Sequence, residues 1–243
     1  MTTLAISPDF TTPSAALAAA AALYLAVGEP LVGRRMYASL GRRRETQPGA
    51  LVRYFRFTLG FWVLAAGLFG VVYACSPGIA AADLGLAGPT GTTGLGVGIA
   101  VLLGVVLGAH RLRGAARDGK HVPGLDEIAA LLSRTRQERR YAAAVAVTDA
   151  LCSELLYRGL LLAFGVGVLG LNLYVAAALA LLIYAGAGLY QGRGGIAVFA
   201  AFGAVCTALY LSSGSLLLPV LAHAALSLRD LVYVPTVMKG RIA

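Results

Sequence analysis

Charge is scarce in this chain. Charged residues make up 13% of its 243 positions, with only 11 Asp and Glu and three His. A soluble domain carries about 25% charged residues, so an ordinary water-soluble fold is excluded. Lone histidines and scattered acids do not assemble a metal-ligand set, so neither a metal nor a cofactor is expected. Cysteine is also sparse: Cys75, Cys152 and Cys206 show no paired spacing, which excludes a disulfide framework. Cys152 and Cys206 fall inside apolar runs and read as small buried residues. No internal repeat and no separate soluble unit is visible, leaving a single membrane domain over residues 1–243.

What is abundant is apolar. Hydrophobic residues reach 58%, mean hydropathy is +0.78 and there are 31 glycines, as is common where membrane helices pack closely. The length accommodates about seven spans of roughly 20 residues, so the fold class expected is an all-α polytopic membrane bundle of about seven transmembrane helices. The spans read as residues 14–32, 54–74, 93–109, 141–165, 171–190, 195–211 and 215–234.

The basic residues divide the loops. On a seven-span trace, 18 of the 20 Lys and Arg lie on one side, the exceptions being Arg158 and Arg229 within spans. That asymmetry predicts a multi-pass protein of the cell membrane with an extracytoplasmic N-terminus and a cytoplasmic C-terminus. It also accounts for the net charge of +9 without nucleic acid, because cationic loops face the anionic inner leaflet. The bilayer is the first partner. The first span has its positive charges after the apolar stretch rather than before it, as in an anchor and unlike a cleavable signal. Residues 124–140 place Leu125, Ile128, Leu131 and Leu132 at near-helical spacing and read either as a short interfacial helix or as a solvated linker. Glu29, just before Arg34 and Arg35, reads as an interfacial residue.

Few polar groups remain inside the spans. Glu154 and Arg158 stand one helical turn apart, a spacing at which carboxylate and cation pair, and such charges at membrane depth are a functional-site hypothesis by default. Asp149 and Ser153 share an adjacent face. His223, Ser227 and Asp230 form one stripe on the last span, and Tyr184, Tyr190 and Gln191 lie on the fifth. A carboxylate helix facing a histidine helix points to a proton-handling or hydrolytic centre.

The segment Ser153-Glu154-Leu155-Leu156-Tyr157-Arg158-Gly159 resembles the EExxxRG motif of the CAAX protease and bacteriocin-processing (CPBP) intramembrane proteases. Tyr184 to Gly192 resembles that family's FxxxH motif, and Gly214 to His223 followed by Ser227 resembles its HxxxN/D motif. The resemblance covers about residues 134–231, the motif-bearing core, and implies the CPBP fold and an intramembrane endopeptidase ancestry. In the family the first Glu activates water; here it is Ser153. The second-motif His is Gly188, and the Asn or Asp after His223 is Ser227. Glu154, Arg158 and His223 are retained. A serine hydroxyl is no base near neutral pH unless another group takes its proton. The expected function is therefore a catalytically impaired pseudoprotease that binds a peptide or a membrane-protein partner in the former active-site cavity. An active endopeptidase using Glu154 or Asp149 as base with His223 stands as the alternative, and a small proton-coupled transporter as a third. For Glu154–Arg158 and for His223, a purely packing role stands beside each chemical one.

Overall fold

The computed structural model describes residues 4–90, 92–117 and 127–237. Among them there is no β-strand, only helices joined by short turns. Helix α1 runs Thr12–Arg43 and α2 Ala50–Ala74. Helix α3 follows over Thr92–Arg117, then α4 over Arg136–Gly167. The last three are α5 (Leu173–Ala187), α6 (Gly192–Ser213) and α7 (Leu217–Val237). Helix starts follow local chemistry. Thr11 caps α1 with a proline in the first turn, Asn172 caps α5, and Thr135 with Glu138 forms a capping box on α4.

Among the described residues, six helical stretches are long and apolar enough to cross a membrane. The fifth of them, Leu173–Ser213, has 41 residues, which as one rod would be about twice the hydrocarbon thickness. It is folded instead. A 3₁₀ turn over Gly188–Gln191 ends at Gly192, whose φ of 78° lies in the left-handed region that favours glycine. The chain doubles back there, bringing Tyr184 beside Phe199 with ring centroids 5.4 Å apart. Helices α5 and α6 are thus antiparallel limbs, and the trace has the seven passes read from the sequence.

The loops gather at two ends of the bundle. At one end Asp9 bridges Gly78, the Ser7 amide donates to Asp83, and Thr90 donates to the Ser213 carbonyl. At the other, Arg44 pairs with Glu138, Arg134 with Glu45, and the Tyr37 hydroxyl donates to the Glu127 carbonyl. The described loops of the first end, residues 4–11, 75–90, 168–172 and 214–216, contain no Lys or Arg.

Helix α4 is the centre. In its most apolar window 78% of residues are buried, against 33% or less in the other five segments. A helix enclosed by its neighbours can carry charge that a lipid-facing one cannot. Two expectations need correction. The first span does not end near Val32: α1 continues to Arg43, which sets Glu29 inside the bundle rather than at its boundary. Nor does an interfacial helix run through residues 127–135, the described stretch before α4. A 3₁₀ turn occupies Ala129–Leu131, α4 begins at Arg136, and Ile128, Leu131 and Leu132 are buried against Leu51 and Phe55. They gain more by leaving water for this core than by lying at a headgroup surface. Leu125, Lys120, Lys239 and Arg241 lie outside the described residues.

Candidate functional site

Three of the helices contain a π turn: Tyr24–Gly28 in α1, Leu155–Leu160 in α4 and Arg229–Tyr233 in α7. Such turns occur mostly as single insertions in α-helices, often at functional positions. The α4 turn carries Tyr157, Arg158 and Gly159, immediately after Glu154. The α1 turn immediately precedes Glu29.

Glu154 is fully enclosed, at 0% exposure, and Arg158 is at 1%. Arg158 Nη1 donates to Glu154 Oε1 at 3.1 Å and Nη2 donates to the Gly203 carbonyl of α6 at 3.0 Å. The guanidinium carbon stands 4.2 Å over the Tyr184 ring, a cation–π contact in a desolvated place. The pair is therefore tied to α5 and α6. His223 of α7 brings Nδ1 to 2.9 Å from the same Glu154 Oε1. Ser153 Oγ lies 3.3 Å from that same Nδ1, so one ring nitrogen meets both the carboxylate and the serine hydroxyl. His223 Nε2 lies 3.7 Å from Asp149 Oδ2. The edges of Phe202 and Tyr184 complete the walls around the imidazole, at centroid distances of 5.2 and 6.4 Å. Glu154 Oε2 is buried without a hydrogen-bond partner.

The structure brings together Asp149, Ser153, Glu154, Arg158 and His223. It does not add the other two motif positions. Gly188 packs backbone to backbone on Gly195: a Cβ there would stand 2.6 Å from the Gly195 carbonyl oxygen and 2.8 Å from its carbonyl carbon. No side chain fits that contact. The Ser227 side chain makes no hydrogen bond to the cluster among the described residues. The expected stripe of His223, Ser227 and Asp230 is also broken, because Asp230 turns to its neighbour Arg229 at 2.7 Å where the π turn begins.

One residue of the site was misjudged from sequence. Glu29 accepts the Tyr157 hydroxyl hydrogen and lines, together with Asp149, a cavity of about 180 Å³. That cavity lies between α1, α2, α4 and the α5–α6 turn, and its wall includes Tyr54, Trp62 and Tyr190. It is large enough for several waters, each occupying about 30 Å³ in the liquid. No group of three or more His, Cys, Asp or Glu suited to a metal is present among the described residues.

Residues 137–228, from the first turn of α4 into α7, match the family model of type II CAAX prenyl endopeptidases, described as Rce1-like. That segment is the one whose motifs resemble the CPBP family. The match holds all three motif regions and all of the clustered residues except Glu29, which α1 contributes from outside it. Neither a curated protein nor a solved structure matches the chain.

Proposed function

We propose that this protein is a multi-pass membrane pseudoprotease, one domain of the CPBP type, that holds a peptide or membrane-partner segment in its former active-site cavity without cleaving it. The observation that carries this reading is Gly188. Its seat against the Gly195 carbonyl leaves no room for a second histidine, and the family's first carboxylate is replaced by Ser153. Two further facts support it. The His223 nitrogen nearest Ser153 is also the one that meets Glu154, at 2.9 Å, and Glu154 itself is enclosed and away from the cavity. Glu154, Arg158 and His223 act as a positioning set that fixes α4, α6 and α7. Asp149 and Glu29 are the groups offered to an occupant.

General base catalysis contributes on the order of 10²–10⁴-fold. The purified chain given a prenylated CAAX peptide is therefore expected to turn over at least about 100-fold below a family member with both motif carboxylates and both histidines. Peptide cleavage followed by mass spectrometry checks this. A specific observation favours the catalytic alternative: Asp149 stands 3.7 Å from His223 Nε2 and opens onto a cavity with space for water. Robust cleavage abolished by Asp149→Asn and by His223→Ala would replace the pseudoprotease reading with that one.

The orientation proposed is N-terminus out and C-terminus in, in the cell membrane, because the arginine-rich end belongs in the cytoplasm. Cys75 is exposed at the opposite end while Cys152 and Cys206 are buried. A membrane-impermeant maleimide should label Cys75 on intact cells, and should not label Gln47→Cys in a Cys75→Ser background until the membrane is opened. The reverse pattern would invert the topology.

A further inference from the structure

The cavity is unusual in what lines it. Eight aromatic side chains face it, among them Tyr24, Tyr54, Trp62 and Tyr190. Glu29 and Asp149 approach from different helices, and no Lys or Arg lines it among the described residues. The charges of the neighbourhood do not balance. Glu29, Asp149 and Glu154 are three carboxylates, whereas Arg158 is a single permanent cation and His223 a conditional one. Arg158 is spent on Glu154. His223 is shared between Glu154 and Asp149. Glu29 has only the neutral Tyr157 hydroxyl. Aromatic faces and carboxylates around a low-dielectric hollow are the two features that attract an organic cation.

Beside it lies a second, almost wholly apolar groove of about 370 Å³ between α1 and α2, lined by residues including Leu17, Leu25, Leu64 and Leu68. Tyr24 and Phe61 line both spaces. A ligand with its charged end among Glu29 and Asp149 thus has an adjoining apolar surface for the remainder of its length.

We infer that the cavity binds an ammonium group carried on an apolar body, with Glu29 and Asp149 as counter-ions and the aromatic wall as the cation–π surface. This rests on the reading of the cavity as a binding site and names the chemistry of the occupant. An ammonium of this kind comes either from a free hydrophobic amine or from a lysine side chain of a partner segment.

Trp62 is the only tryptophan in the chain and lines the cavity, so its fluorescence reports occupancy directly. The full chain in nanodiscs is titrated with benzyltrimethylammonium and with neopentylbenzene, its uncharged carbon isostere. A saturable Trp62 response to the cation, at least about tenfold tighter than to the isostere, is expected. Glu29→Gln with Asp149→Asn should abolish that preference, whereas Glu45→Gln, which removes a carboxylate from an exposed side chain, should leave it intact. If the double variant does not fold, the comparison of the two ligands on the parent chain decides alone. Equal affinity for cation and isostere would overturn the ammonium assignment while leaving a binding cavity. No saturable response to either ligand, nor to a hydrophobic peptide bearing one lysine, would overturn both. That peptide against its norleucine counterpart identifies the source: a lysine peptide binding tighter than the free amine points to a partner segment, and a weaker one to a small amine.

Discussion

Arg158→Ala should lower the yield of folded protein in the membrane far more than Glu154→Gln. Arg158 is the largest fully buried side chain, and removing it withdraws three attachments together: Glu154, the Gly203 carbonyl and the Tyr184 face. It also strands the Glu154 carboxylate, which already has one oxygen without a partner. Breaking a buried pair in this way costs about 3–5 kcal/mol, and the vacated volume adds to the loss. In Glu154→Gln the amide oxygen still accepts from Arg158, and the guanidinium keeps its carbonyl and its ring. Membrane abundance and the thermal unfolding midpoint of the purified variants check the ordering. Equal, parent-like values for Arg158→Ala would show that the pair does not hold the bundle together.

Restoring the family's second histidine should damage the protein rather than revive it. Gly188→His drives a side chain into the Gly195 backbone, where even a Cβ would be 2.6 Å from the carbonyl oxygen. Overpacking a well-packed core costs about 1–3 kcal/mol; here the obstacle is the main chain of a helix, so the cost falls at or above the upper end. Gly188→Ala should show most of the same loss, which separates steric cause from any effect of the imidazole. The combined Ser153→Glu, Gly188→His and Ser227→Asn variant is accordingly expected to be poorly folded and inactive. Recovery of a well-folded triple variant that cleaves a prenylated peptide would show that α5 and α6 can part at this point, and that the scaffold has lost only its side chains.

The membrane bundle was legible because its signals are redundant. Every pass is an apolar run, the basic residues gather in alternate loops, and Glu154 and Arg158 announce themselves by being charged where little else is. The joining of His223 to Glu154 was legible only as two polar faces on different helices; their direct contact depends on packing angles that no spacing encodes. Glu29 was missed for a definite reason. Hydropathy ends the first span near Val32, because Arg34 and Arg35 follow, whereas the helix itself continues to Arg43. A π turn over Tyr24–Gly28 then sets the phase in which Glu29 faces Tyr157, and nothing in the residue order marks that turn. Asp149 and Ser153 were legible as sharing a face of α4, but what links them is the α7 imidazole, which approaches both. The apolar residues at 128–132 were read by periodicity alone, and the buried pocket beside α2 that accepts them is invisible to periodicity.

The central place of α4 constrains how the protein is made. A helix bearing Asp149, Glu154 and Arg158 is a poor candidate for release into lipid on its own, since each such residue opposes insertion by a few kcal/mol. Intrahelical pairing relieves two of the three. Asp149 finds His223 only when α7 has arrived, and Arg158 finds the Gly203 carbonyl only once α6 is in place. Biogenesis therefore has to keep α4 sheltered until α6 and α7 have been made, so a nascent chain stalled before α6 is a client for membrane chaperones and for quality-control proteolysis.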